Sequence, residues 1–332
     1  MMGITILYNL DKNFKLGRED VLSFQDYITT VYDIEKTLKK IGYKTKLEVI
    51  HEENYTILKK IKTDFFFNLC YGIGELPNTE YKIPEVLEKL KIPFSGAGSK
   101  SIFLGSDKLK SKKIFVENNI PSPSYQIIKS IKSKLKTRLS FPLIVKPVKT
   151  DGSIGIQNNS VVNNSLELWN QVDYVLKTYH QPALVEEYID GREIRITILG
   201  NHNKIEFLTH SELVFSKIFD QKRLWKIDNF DSKNEINSWE YKNTHVSCPA
   251  KLSPAVRKKI EYYSKIIWRK FHGSGIARLD IRLKSDTPYF LEINFNPGIG
   301  KDDAAFTAAK KAGYSYSSFI QKIINIGLTR DL

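Results

Sequence analysis

The chain has 332 residues, 41% hydrophobic and 27% charged, and its 51 Lys+Arg exceed its 37 Asp+Glu to give a formal net charge of +14. This is the composition of a soluble globular protein; it excludes a disordered, collagen-like or disulfide-scaffold chain, and the length suits two or three domains with a cleft between lobes. No apolar run approaches the roughly 18 residues that span a bilayer, and Cys70 and Cys248 lie far apart without metal-like spacing, which points to a reducing cytoplasm.

In chain order, MMGITILYNLDKN meets Asp11 early, so it reads as a first strand, Ile4–Leu10, and not as a signal peptide. Phe24, Tyr27, Ile28, Val31, Ile34, Leu38 and Ile41 recur at three- and four-residue steps and predict an amphipathic helix that Gly42 stops. Leu47–Ile50 reads as a second strand. Asp64–Cys70 (DFFFNLC) is the continuous apolar run of a strand covered on both faces in a parallel sheet. Pro84–Leu90 is a short helix leading to Ser95-Gly96-Ala97-Gly98. The alternation is that of βαβ units and predicts a doubly wound α/β lobe over residues 1–99.

From about residue 100 the texture changes. Ser106–Asn118 reads as a Lys-rich helix ending before Ile120-Pro121-Ser122-Pro123. The run Lys129–Arg138 mixes Lys with Ser, Ile and Leu without an aromatic; it reads as a solvated connection and not as a nucleic-acid face, which would interleave aromatics for stacking. Short strands at Leu143–Pro147, Gly155–Asn158, Ala183–Tyr188 and Glu193–Leu199, joined by Gly-rich turns, predict an antiparallel lobe. Residues 215–247 are polar without clear periodicity and read as a long functional loop. Ser253 and Pro254 open a helix with the stripe Val256, Ile260, Tyr263, Ile267, Phe271, which Gly273 ends. The expected lobes are 1–99, 100–190 and 191–332.

Three passages carry chemistry. In IARLDIRLKSDTPYFLEINFNPGIG, from Ile276 to Gly300, two β-runs flank a turn. A turn centred on residue 286 sets Asp280 opposite Glu292 and Arg278 opposite Asn294, and residues two apart share a face. Two carboxylates and an amide offer oxygens of the kind Mg²⁺ prefers, and the arginine suits charge developing on a transferring phosphoryl group. The strands are otherwise strongly apolar, so a charged face runs against their trend. In FPLIVKPVKTDGSIGIQ, from Phe141 to Gln157, a strand carrying Lys146 meets a small-residue turn whose backbone N–H groups can approach phosphate, followed by a second strand. It matches neither GxxxxGK(S/T) nor GxGxxG, and by itself it is an ordinary Gly-rich hairpin. In LVEEYIDGRE, from Leu184 to Glu193, a strand ends in carboxylates, an aromatic and a Gly turn, which can serve adenine and ribose or can be a plain polar strand end.

Together these passages resemble the ATP-grasp superfamily, specifically the D-alanine–D-alanine ligase group. The resemblance keeps the family's order over nearly the whole chain. Phe67-Asn68, Gly74-Glu75 and IPEVLEKLKIPFSGAG are similar to its "FN … GE … LE … IPYTGSG" stretch. Ser106-Asp107-Lys108 with Lys112 or Lys113 resembles its "DK…K" helix, and Ile120-Pro121-Ser122-Pro123 its "GIPTP". The three passages above resemble "PxIVKPxxxGSSxGV", "vEeyIxGrE", "xRxDfxl" and "LEvNxxPGmt". The resemblance implies an ATP-grasp fold, with an N-terminal doubly wound parallel-sheet lobe and two mainly antiparallel lobes clamping ATP. It implies an ADP-forming ligase in which a carboxylate attacks the γ-phosphate and an amine then attacks the acyl phosphate. It also implies roles. Lys108 and Lys146 contact ATP phosphates, under the loop Gly152, Ser153, Ile154, Gly155, with Ser153 among the catalytic groups. Glu186, Glu187, Tyr188 and Ile189 line adenine, and Glu193 binds ribose. Asp280, Glu292 and Asn294 hold two Mg²⁺, for which Mn²⁺ can substitute, and Arg278 stabilises the transferring phosphoryl group. Glu19, Tyr71, Gly298 and Asp303 fall at substrate positions. Partners on this reading are small amino-acid or peptide substrates in the cytoplasm, without nucleic acid or membrane, and a homodimer is compatible with it.

The sequence departs from the family where the substrate is read. Gly152-Ser153-Ile154 stands for GSS, and Tyr71-Gly72 stands near the family's His-Gly. Asp303 occupies the position six after Pro297, where the family has a Ser that helps hold the second substrate's carboxylate. Asp303 either contacts the acceptor pocket, where it repels a carboxylate, or it, or Asp302, caps the helix starting near Ala304. Lys233 and Lys242 are both candidates for the lysine that closes over ATP. The expectation is a carboxylate–amine ligase not specific for D-alanyl-D-alanine. The alternatives are a divergent D-alanine–D-alanine ligase of cell-wall synthesis and a non-catalytic nucleotide or polyanion binder.

Overall fold

The computed structural model describes residues 1–9, 18–51, 55–73, 79–150, 152–202, 204–234 and 237–330, with the side chains of 18–26 and 234 outside the description. Three sheets organise it. In the first, β1 (Gly3–Tyr8) lies between β2 (Lys44–Val49) and β3 (Phe65–Asn68), all parallel. The all-apolar β3 is explained by period-two alternation between two cores. Phe65 and Phe67 face the helices Arg18–Lys40 and Tyr316–Leu328, and Phe66 faces Leu58, Ile83, Leu87 and Phe94. Gly42, at φ +94, stops the first helix as expected, with the Tyr43 amide donating to the Leu38 carbonyl.

The second sheet runs β4 (Tyr125–Ile128), β7 (Ala183–Glu187), β5 (Leu143–Pro147), β6 (Val161–Val162), all antiparallel. One expected strand is absent, and further elements join those the sequence predicts. Gly155–Asn158 is not a strand. Ser153 and Gly155 take φ of +66 and +77, outside the extended region, and the edge strand is β6. The helix Ser165–Tyr179 was not foreseen; Asn164 caps it by accepting the Glu167 amide at 3.0 Å, and Leu168, Val172 and Val175 cover one sheet face. Strand β4 was likewise not foreseen. The Lys-rich helix expected over Ser106–Asn118 is present as Lys108–Glu117, and a separate helix, Ser99–Gly105, precedes it; the two are divided where Asp107 leaves the helical conformation and accepts the Leu109 amide at 2.9 Å.

The third sheet has β8 (Arg192–Asn201) at its centre, flanked by β12 (Ser274–Lys284) and by β10 (Ser211–Phe215), with β9 (Lys204–Phe207) also pairing β8. β13 (Thr287–Phe295) and β11 (Thr244–Ser247) are the outer strands. One face, with Ile194, Ile196, Ile198, Leu279, Ile281 and Ile293, is buried under the helix Pro254–Lys270. Ser253 caps that helix by accepting the Val256 amide at 3.2 Å. Its left-handed exit residue is His272, at φ +55, and not Gly273. Gly273 serves packing instead, since a Cβ there would lie 2.2 Å from the Trp268 ring. The segment 215–247 is not a structureless loop. It holds short helices at Ile218–Gln221, Phe230–Asn234 and Trp239–Lys242 and strand β11, with Phe219 packed between Phe215 and Trp239. Among the described residues no helix is long and apolar enough to cross a membrane.

Candidate functional site

The other face of the third sheet is charged. β12 presents Arg278, Asp280 and Arg282 at alternate positions, beside Asn294 and Glu292 on β13 and Thr197, Arg195 and Glu193 on β8. Asp280 pairs Glu292 and Arg278 pairs Asn294 as the sequence predicts, but the turn is not centred on residue 286. It is the two-residue turn Ser285-Asp286, with Ser285 at φ +53, and a bulge after Asp280 adds Leu291 and restores the pairing.

Arg278 grips Asp280 with both branches of its guanidinium, Nε to Oδ1 at 2.7 Å and Nη2 to Oδ2 at 2.8 Å. Burial raises the Asp280 carboxyl, yet Arg278 overrides it and holds the group down at about 2. The Asn294 amide nitrogen donates to Asp280 Oδ2 and to Glu292 Oε1, each at 3.1 Å. One donor serving two carboxylates marks a point where a cation fits, and the set is all hard oxygen on the carboxylate side, as Mg²⁺ requires. Among the described residues no three of His, Cys, Asp and Glu gather into a metal set, so this site depends on the amide of Asn294.

These groups floor a cleft of about 530 Å³ between the second and third sheets. Lys108, Lys146, Gly152 and Ser153 line it, as do Glu186, Glu187, Tyr188, Ile189 and Glu193. Lys108 donates to the Thr150 carbonyl, which ties the capped helix to the small-residue loop. Within that loop Gly152 and Ser153 both have positive φ, and the Ser153 hydroxyl donates to the Asp228 carbonyl at 2.7 Å. Two predicted loop residues do not line the cleft. Ile154 is exposed, and Gly155 packs outward, where a Cβ would meet Pro147 and Tyr179. Glu193 is not an open carboxylate awaiting a hydroxyl. It is buried, 3.0 Å from Arg282 and 3.7 Å from Arg195, and its pKa is raised by burial against the pull of Arg282.

At the far end Tyr71, Gly298 and Asp303 line the same cleft. Asp303 has the backbone conformation of a cap on the helix Ala304–Lys311, but its side chain makes no cap bond. It turns back and accepts the Gly300 amide at 2.6 Å, packed so closely that a Cβ on Gly298 would lie 2.6 Å from it. The helix-cap account of Asp303 is therefore corrected. Tyr71 lines the cleft and is 57% exposed, and desolvation followed by the Asp303 charge pushes its phenol up to about 12. The side chain of Glu19 and the pair Gly74-Glu75 lie outside the described residues.

Of the two lysines considered for closing the cleft, Lys233 lines it and Lys242 is exposed on a short helix. Burial lowers the Lys233 pKa, with Arg278 and Arg195 acting in the same direction. Sequence reasoning passed over Arg195, Arg282 and Asp228. Arg282 and Arg195 each stand two residues beyond a singled-out carboxylate, so alternation could have found them. Asp228, 2.5 Å from Arg195, has no sequence signal, because it comes from the aperiodic segment.

The D-ala D-ala ligase C-terminus family matches residues 114–325. A D-alanine–D-alanine ligase of Wigglesworthia glossinidia brevipalpis is 30% identical over 96% of this chain and 87% of its own length. The uncharacterized protein y4sG of Sinorhizobium fredii is 32% identical over 80% of this chain and 74% of its own length. In fold, the chain superposes on the crystal structure of a Bacillus anthracis D-alanine–D-alanine ligase complexed with ATP at a TM-score of 0.75 and 23% identity, covering 99% of this chain and 98% of that one.

Proposed function

The chain belongs to the D-alanine–D-alanine ligase family of ADP-forming ATP-grasp ligases, and from that premise we propose that it joins a carboxylate to an amine through an acyl phosphate, with an acceptor other than D-alanine. The observation that carries the ligase reading is the charged sheet face, where Arg278, Asp280, Glu292 and Asn294 converge on an otherwise apolar hairpin. Asp280, Glu292 and Asn294 would hold Mg²⁺ or Mn²⁺, which when bound supplies positive charge beside the phosphates. Lys108 and Lys146 bind phosphate oxygens from the opposite wall, and Gly152 and Ser153 cover them. Glu186, Glu187, Tyr188 and Ile189 form the base-binding edge, where Glu193 orients the ribose from its arginine cage. Arg278 is placed to stabilise charge that builds up during transfer, because its guanidinium is already fixed and loses little freedom at that moment. Lys233 closes the cleft from the segment above and helps to exclude water.

The acceptor reading rests on Asp303. Its carboxylate faces the cleft, and an acceptor carboxylate brought beside it would be repelled by several kcal/mol if desolvated. A basic or carboxylate-free amine avoids that repulsion. The test is phosphate release from ATP and Mg²⁺ with paired amino-acid pools. D-Alanine alone should turn over poorly, and Asp303→Ser should shift preference toward carboxylate-bearing acceptors. Efficient D-alanyl-D-alanine synthesis by the unaltered protein would overturn the specificity reading and favour a divergent D-alanine–D-alanine ligase.

A further inference from the structure

We infer that Lys112 is a positioning residue for nucleotide binding, the buried counter-charge that stops Glu186 from sequestering Lys146. The inference rests on the nucleotide reading of the cleft.

Lys112 follows Lys108 by one turn on the helix Lys108–Glu117, so both side chains leave the same face. Their fates differ. Lys108 lines the cleft; Lys112 lies behind the wall, with its side chain 1% exposed. Its neighbour Lys113 is exposed to solvent. Lys112 Nζ lies 2.6 Å from Glu186 Oε1, and Lys146 Nζ lies 3.1 Å from the other oxygen of the same carboxylate. Glu186 is 2% exposed. Burying an ammonium group away from solvent is unfavourable unless something is gained from its charge. Lys112 has no path to a ligand, so what its charge acts on is Glu186.

The consequence falls on Lys146. With Lys112 absent, one buried carboxylate and one lysine would form a closed pair, and in a low-dielectric wall that pair would resist opening toward a phosphate. With Lys112 present, two ammonium groups share one carboxylate, and the excess positive charge faces the cleft through Lys146. Glu292, on the opposite wall, also acts electrostatically on Lys112, after Glu186. Glu186 thereby fixes the direction of Lys146 without neutralising it.

The experiment measures ADP affinity calorimetrically in the presence of Mg²⁺, alongside kcat at saturating ATP. Lys112→Met should weaken ADP binding by about 10–100-fold, the size expected when an outer partner of a binding group is lost, and should raise the KM for ATP with a smaller change in kcat. Lys112→Arg should recover part of the loss. In a Glu186→Gln background no carboxylate remains to hold Lys146, so adding Lys112→Met should leave ADP affinity at the value of Glu186→Gln alone. A purely structural Lys112 predicts instead that Lys112→Met weakens affinity by the same factor with Glu186 present and with Gln in its place. Should Lys112→Met fail to fold, the comparison of Lys112→Met/Glu186→Gln with Glu186→Gln decides alone: equal affinity supports the inference and a further loss overturns it. Unchanged affinity in a folded Lys112→Met overturns it directly. If the parent protein binds neither ADP nor ATP, the nucleotide reading itself falls, which is a different result from a nucleotide-binding parent with an indifferent Lys112.

Discussion

Asp280 is a carboxylate that burial works to neutralise and Arg278 keeps ionised. The same fork holds Arg278 in place, so the charged pair is preformed and ready for an incoming anion and cation. Asp280→Asn and Glu292→Gln keep shape and remove charge. Each should lower phosphate release at least about 100-fold, the scale of losing a preorganised electrostatic group, while circular dichroism stays that of the parent protein. Near-parent rates in both would remove these residues from the metal site. Arg278→Lys should recover only part of the activity lost in Arg278→Ala, because an ammonium group cannot reproduce a two-pronged grip on a carboxylate or phosphate.

Two contacts set the scale of what individual elements contribute. The Ser253 hydroxyl closes the first turn of the helix that covers the third sheet, and Ser253→Ala should cost about 1 kcal/mol in urea unfolding. Gly275, at the start of β12, has φ +78, and a Cβ there would lie 2.1 Å from the Gly96 carbonyl oxygen. The backbone of the Ser95–Gly98 turn therefore presses on β12. The Asn296 side chain reinforces the junction by accepting the Ala97 amide at 2.6 Å. Gly275→Ala should destabilise more than Ser253→Ala, since it adds backbone strain and forces the first and third sheets apart. Equal losses for the two variants would mean that the junction yields without cost.

At the scale of the molecule, acid stability reports the buried charges that tie the helix Lys108–Glu117 to the second sheet. Burial raises Glu186, but Lys112 and Lys146 prevail and hold it at about 2 against an ordinary 4.5. A carboxyl depressed by folding stabilises the fold above its unfolded value and loses that contribution as pH falls through its folded value. Stability should therefore decline between pH 4.5 and about 2. The decline should be shallower in Glu186→Gln, whose side chain takes up no proton there. Parallel acid limbs in the two proteins would show that Glu186 titrates normally. Glu186 lines the cleft between the second and third sheets, so one carboxyl held well below its ordinary range stands where nucleotide is proposed to bind.

Strand alternation is a property of the chain itself. For that reason ARLDIRL and LEINFNPG disclosed, without any structure, which side chains share a face, whereas the expected pairing of Asp280 with Glu292 holds only because the bulge at Leu291 offsets the Ser285-Asp286 turn. The same local logic made the capped helix after Ser253 and the doubly covered strand Phe65–Asn68 legible. It failed where conformation depends on neighbours distant in sequence. The strand expected over Gly155–Asn158 does not form: Ser153 and Gly155 leave the extended region, and the Ser153 hydroxyl bonds the backbone of Asp228. The helix Ser165–Tyr179 does carry a local pattern, the Asn164 cap and the stripe Leu168, Val172, Val175, whereas the short helices after Phe215 lack one and are held by packing. Only the tertiary structure laid β8 beside β12, bringing Glu193 to Arg282 and Arg195 to Asp280, and only it chose Lys112 over Lys113 as the partner of Glu186. Periodicity determines which face a side chain is on, whereas long-range packing and burial determine what that face meets.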